Sequence, residues 1–140
     1  MTHTPKLITT FLFLALLSSN AWAVDLNAIK MIESGGNEKA WNRTEDGRGL
    51  FQINPICLKE YNEKTKSFIK KDSLFIGEIN TRIAMWYIEK RIPQMLRYYG
   101  KKVNDTNIIW AYNAGIGNVI KGIMPKTTKE YIEKYNKLKG

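Results

Sequence analysis

Glu33 is the residue on which a chemical reading of this chain can be built. It closes the apolar helical run Leu26, Ala28, Ile29, Ile32 and is followed at once by Ser34-Gly35-Gly36-Asn37. Glycine pairs stop helices, so the carboxyl group falls where a helix ends against the core. A carboxylic acid pressed against apolar groups keeps its proton to higher pH, because burial disfavours the anion. That is the state needed to protonate a leaving oxygen. Other common catalytic options are closed. The only histidine is His3 and the only cysteine is Cys57. Serine–histidine and cysteine–histidine pairs and His/Cys zinc sites all require more. Cys57 sits in Pro55-Ile56-Cys57-Leu58, the setting of a buried structural thiol.

The elements that position Glu33 follow from local chemistry. Residues 1–23 read as a secretory signal peptide: Lys6 is a short basic start, Leu7 to Leu17 is nearly all apolar, and Ala21-Trp22-Ala23 fits small-x-small cleavage. Residues 24–140 are then one domain with no membrane span. Asp25 caps a helix over 26–33. Residues 34–49 are rich in glycine, asparagine and aspartate and read as loop. In Leu50 to Pro55 a short strand or a tight helical turn is expected, ended by Pro55. Residues 58–72 read as a solvated, lysine-rich helix and loop. A long helix over about 78–95 should kink or divide at Pro93. Asn104-Asp105-Thr106 caps a helix over about 107–113 that Gly115 ends. A short turn from Ile116 to Lys121 follows. Thr127-Thr128-Lys129-Glu130 has the pattern of a capping box for the last helix. The fold class is mainly α, a single domain.

The net charge of the chain is +9, almost all of it after residue 23. For an exported protein this points to anionic cell-wall polymers or lipid headgroups rather than nucleic acid. No acidic cluster has calcium-loop spacing, so neither metal nor cofactor is expected.

Three blocks stand in order: Glu33-Ser34-Gly35-Gly36-Asn37, Gly49-Leu50-Phe51-Gln52-Ile53-Asn54-Pro55, and Ala111-Tyr112-Asn113-Ala114-Gly115. Together they resemble the family 1 soluble lytic transglycosylase domain of the goose-type-lysozyme-like superfamily, over essentially residues 25–135. The resemblance implies a lysozyme-like fold with a substrate cleft. It implies a peptidoglycan lyase that cleaves the β-1,4 bond between N-acetylmuramic acid and N-acetylglucosamine and forms a 1,6-anhydro ring. Glu33 matches the catalytic acid and base. Ser34, Phe51, Gln52, Tyr112, Asn113 and, less directly, Tyr131 match substrate-binding or acid-ordering positions. Phe51, in place of the usual methionine, and Tyr112 would line the cleft and supply the apolar setting, with the Tyr112 hydroxyl near the acid. Ala84 stands where a glycine is common, and Gly115-Ile116-Gly117 lacks a frequent proline.

The small size and leader resemble short members that act in the periplasm or cell envelope, with a secretion or conjugation apparatus or a phage. Two alternatives stay open. One is a hydrolytic muramidase, in which Glu45 or Asp46 joins Glu33, although both read as solvated loop acids. The other is a non-catalytic wall-binding assembly protein.

Overall fold

The computed structural model describes residues 23–140. The expected leader lies outside the described residues but for its last position, Ala23. The fold is mainly helical, as expected: α1 (Leu26–Ser34), α2 (Pro55–Thr65), α3 (Gly77–Met85), α4 (Ile92–Tyr98), α5 (Asp105–Ala114), α6 (Ile116–Lys121) and α7 (Lys126–Leu138). Among the described residues no helix is long and apolar enough to cross a membrane.

Local signals start and stop most of these helices. The Asp25 carboxylate accepts from the Ala28 N–H at 3.0 Å, and Gly35 takes the left-handed conformation that ends α1. Asn104 caps α5 by accepting from the Asn107 N–H. Pro55 opens α2 rather than ending the preceding block. It occupies the first turn, where its missing N–H costs nothing, and Asn54 is the cap, accepting from the Cys57 N–H at 2.9 Å.

The expected long helix exists, and it is interrupted just before Pro93. α3 and α4 are joined by a π-helical segment, Trp86–Arg91, in which the Ile92 N–H bonds the Tyr87 carbonyl. Ala84, Ile88, Ile92 and Leu96 form its fully buried stripe. A repeat of four residues drifts by about 40° per step around an α-helix of ~3.6 residues per turn. The wider π turn takes up that drift and keeps the stripe on the core. It also places Pro93, which has no N–H to donate, at the start of α4.

Two other expectations need correction. Ile116–Lys121 is a helix, α6, not a turn, and it packs on α5. The capping box at Thr127 does not form. α7 begins two residues earlier, behind Pro125, whose carbonyl accepts from the Thr128 and Lys129 N–H groups. Thr128 is buried instead and donates to Asn113 Oδ1 at 2.8 Å.

Within the loop, Trp41–Asn42 (β1) and Gly47–Arg48 (β2) pair as a small antiparallel hairpin, and Arg48 bridges onward to Ile53. A side chain from α3 fastens this block. Asn80, fully buried, accepts from the Phe51 N–H at 2.8 Å and donates to the carbonyls of Arg48 (2.8 Å) and Leu74 (2.9 Å). Gly49 makes room for it. Its φ is +76°, and a Cβ there would lie 2.2 Å from the Leu74 oxygen and 2.4 Å from Asn80 Nδ2. Asn80→Ala removes three hydrogen bonds and leaves a buried N–H unpaired. Urea unfolding should show a loss of about 3 kcal/mol; a loss below ~1 kcal/mol would mean the block holds without Asn80.

Candidate active site

A cleft of about 560 Å³ opens beside the end of α1. Glu33 comes to its wall from α1, Asn42, Glu45 and Gly47 from the hairpin, Gln52 and Asn54 from the block after it, Tyr87 from the π segment, and Tyr112 and Asn113 from α5. The three sequence blocks, far apart in the chain, therefore share one cavity. That volume suits an extended small ligand or a few sugar rings.

Glu33 is half-buried and its Oε1 accepts from the Tyr131 hydroxyl at 2.7 Å. Two contacts fix that geometry. Tyr135, one turn further along α7, has its hydroxyl accepting from the Asp25 N–H at 2.8 Å, at the opposite end of α1. α7 thus grips α1 at both ends, once at the cap and once at the acid. Burial pushes the Glu33 carboxyl up to about 7, against the downward pull of the Tyr131 hydrogen bond; the charge of Glu45 adds to the rise. The last turn of α1 also turns the negative end of the helix dipole toward the group. No lysine or arginine ion pair with Glu33 exists among the described residues.

The other expected site residues divide. Gln52 lines the cleft with φ +51°. Its Nε2 donates to the carbonyls of Ala40 (3.1 Å) and Gly49 (3.0 Å), so both amide hydrogens are used and Oε1 remains to accept. A Cβ at residue 47 would sit 2.9 Å from that Oε1, so a larger residue there would press on the Gln52 amide. Asn113 is exposed on the cleft wall. Its Oδ1 accepts from Thr128, leaving the Nδ2 hydrogens without a protein partner among the described residues.

Tyr112 lines the cleft, but its hydroxyl donates to the Phe51 carbonyl at 2.5 Å rather than to the acid. Phe51, expected along the cleft, is 2% exposed and buried in the core; it meets the site through that carbonyl alone. Ser34 turns its hydroxyl to the helix end, donating to the Lys30 carbonyl and accepting from the Gly36 N–H. Tyr131, the least direct expectation, is the residue bonded to Glu33.

Residues that sequence reasoning passed over also line the cavity. Tyr87 packs its ring 6.1 Å from that of Tyr112, and its burial raises its hydroxyl pKa well above the ordinary value. Its signal was an aromatic at a helical position, which reads as core. Asn42 carried no signal, since only the hairpin turns it inward.

The two loop acids part company. Asp46 is tied up: it accepts from Arg48 Nε and Trp41 Nε1, each at 2.9 Å, and pairs with Lys71 at 3.4 Å. The Arg48 hydrogen bond, ahead of the Trp41 one, holds its pKa below the ordinary value. Glu45 is exposed, as a solvated loop acid would be, and it lines the same cavity as Glu33. Cys57 is buried with its thiol pushed up to about 12 by burial, an inert group as expected.

The Glu33 shift has a stability consequence. The folded state holds this proton up to pH about 7, whereas the unfolded chain releases it near 4.5. Folding stability from this group is therefore complete below pH 4.5 and falls as pH rises through 7. Glu33→Gln removes the penalty. Its stability advantage over the native chain should grow from near zero at pH 4 to about 3 kcal/mol at pH 8, read by chemical denaturation. A difference that does not change with pH would contradict the shift.

No curated protein and no solved structure was found to match the chain. The family model described as the transglycosylase SLT domain matches residues 14–136, most of the chain. The fold, the order of the blocks and this match agree: the chain belongs to the SLT transglycosylase family, small lysozyme-like helical domains whose activity is of the lytic-transglycosylase type on peptidoglycan.

Proposed function

We propose that this protein cleaves the β-1,4 bond between N-acetylmuramic acid and N-acetylglucosamine with Glu33 as the single catalytic group. The observation that carries the proposal is the Glu33 carboxyl itself: half-buried on the cleft wall, with no ion pair among the described residues, and oriented by Tyr131. A group titrating near 7 is present in both forms at neutral pH, which suits a residue that must act as acid and then as base.

In the first step the Glu33 proton goes to the bridging oxygen as the C1–O bond breaks, releasing the N-acetylglucosamine end. The Glu33 carboxylate then takes the proton of the muramic acid C6 hydroxyl while that oxygen bonds C1. The 1,6-anhydro ring closes, no water is consumed, and Glu33 ends protonated as it began. Gln52 Oε1 and the Asn113 amide hydrogens are among the cleft's polar groups free to hold sugar hydroxyls and acetamido groups. Tyr87 and Tyr112 offer ring surface to the flat apolar faces of sugars. Ser34 and Phe51 act indirectly, through the end of α1 and the Tyr112 hydroxyl.

A second reading, hydrolysis, has one observation in its favour: Glu45 shares the cavity and faces solvent. A carboxylate there could take a proton from water, and two carboxylates are the usual glycosidase arrangement. Transglycosylation is preferred because Glu45 belongs to an exposed hairpin turn with no hydrogen bond orienting its carboxylate among the described residues. The proposed setting is the periplasm or cell envelope, reached through the leader-like residues 1–23. The proposed role is local opening of the wall for a secretion or conjugation apparatus or for a phage.

Mass spectrometry of digested sacculi should find anhydromuramic ends; hydrated reducing ends would transfer the reading to hydrolysis. Glu33→Gln should slow wall clearing about 10³-fold. Clearing that survives the change would remove Glu33 from catalysis, and a native chain that binds wall without cutting it would favour an assembly role. Tyr131→Phe deletes a bond that stabilises the carboxylate, so the acid keeps its proton longer. The high-pH limb of the activity profile should move upward; a downward shift would contradict the hydrogen bond's sign.

A further inference from the structure

Phe68 is 94% exposed, although its neighbours on both sides are held. The Asn62 amide clamps the Ile69 backbone, donating to its carbonyl at 2.9 Å and accepting from its N–H at 3.0 Å. The Ser67 N–H bonds the Asn62 carbonyl at 2.9 Å, and its hydroxyl meets that of Thr65 at 2.7 Å. Lys66 takes the left-handed conformation that ends α2, with φ +54°. Ile69 packs its side chain against the core. The backbone is therefore fastened and the ring alone is turned out, leaving its apolar surface in water.

The charge around the ring is one-sided. Lys64, Lys66 and Lys70 are exposed and make no ion pair among the described residues. The acids of the same stretch are already paired: Glu60 with Arg91, Glu63 with Lys59 at 3.6 Å, and Asp72 with Arg48 at 2.9 Å. Lys71 pairs with Asp46 at 3.4 Å. The Arg48–Asp72 and Lys71–Asp46 pairs also fasten the segment to the hairpin beside the cleft. An apolar ring among unpaired cations fits a surface that is anionic at its face and apolar beneath. A bilayer with anionic headgroups has that layering, with phosphates for the ammonium groups and acyl chains for the ring. A wall polymer supplies the charge but no apolar layer for the ring to enter.

We infer that residues 64–70 dock the protein on an anionic lipid surface. Phe68 enters below the headgroups, and Lys64, Lys66 and Lys70 lie on the phosphates. A contact of this size is weak and reversible, and it keeps the hairpin side of the cleft beside the bilayer. The inference does not depend on the catalytic reading of Glu33.

The test is a vesicle sedimentation assay on the protein purified as cells process it. Any leader still attached is common to all variants, so differences between them report the patch. The native protein should bind vesicles of phosphatidylcholine mixed with phosphatidylglycerol more tightly than phosphatidylcholine alone, and salt should weaken that preference. Phe68→Ser should weaken binding to the mixed vesicles about tenfold. Changing Lys64, Lys66 and Lys70 together to Gln should weaken it about a hundredfold. All four side chains are exposed, and an unchanged urea midpoint checks that the variants fold. Phe68→Trp follows the ring itself: its added fluorescence should shift to the blue on mixed vesicles and be quenched by brominated acyl chains. Binding that ignores Phe68→Ser, or a Phe68→Trp variant with no blue shift, would overturn the insertion. Lysine-dependent retention on purified sacculi without vesicle binding would also overturn it, and would assign the patch to an anionic wall polymer.

Discussion

The site depends on keeping one carboxyl group partly out of water without supplying a cation for it. The chain has 22 lysines and arginines against 13 acids, so an arginine or lysine beside Glu33 would have been easy to provide. An opposite charge within a few ångströms lowers a carboxyl pKa by about 1–3 units and would fix the group as a permanent anion. The ion pairs among the described residues lie elsewhere, on the hairpin, on α2 and along exposed helix faces. Near Glu33 there are instead a tyrosine hydroxyl, the end of a helix and another acid. Desolvation outweighs the single hydrogen bond, and the group rests near neutrality.

Positioning comes from two polar anchors that tie distant segments. Asn80 holds the hairpin and the Gly49–Pro55 block to α3, and Gly49 exists to let it in. Tyr131 and Tyr135 hold α7 along α1. Between these anchors lie the Tyr112 hydroxyl, bonded to the Phe51 carbonyl, and Thr128, bonded to Asn113. The first joins two sequence blocks, and the second joins the last block to α7. The cleft is therefore assembled by side chains that reach across the fold, on a core of isoleucine and leucine from α1, the long helix and α5.

Much of this was legible in the sequence. The three blocks in order located Glu33, Gln52, Tyr112 and Asn113, which do share one cavity. Helix starts at Asp25 and Asn104 and stops at Gly35 and Gly115 followed from local capping chemistry. What was missed is tertiary. Thr127 looks like the cap of the last helix, but that helix already starts at Lys126 behind Pro125. Phe51 looks like a cleft residue until its side chain is seen in the core and only its carbonyl reaches the site. Asn80 gives no sign of its role, because a lone asparagine in a helix reads as solvated. The π turn is hidden because a stripe repeating every four residues still looks helical. Glu45 reads as an ordinary loop acid, and only the hairpin brings it to the cleft.

The account stands on the protonation state of Glu33. The most direct measurement is a carboxyl carbon-13 NMR titration of the native chain, with the Glu33 signal assigned by its loss in Glu33→Gln. A titration midpoint near 7, with the Tyr131→Phe variant titrating higher still, is the predicted result. A midpoint near the ordinary 4.5 would contradict it, since the group would then be an anion at neutral pH with no proton to give the leaving oxygen.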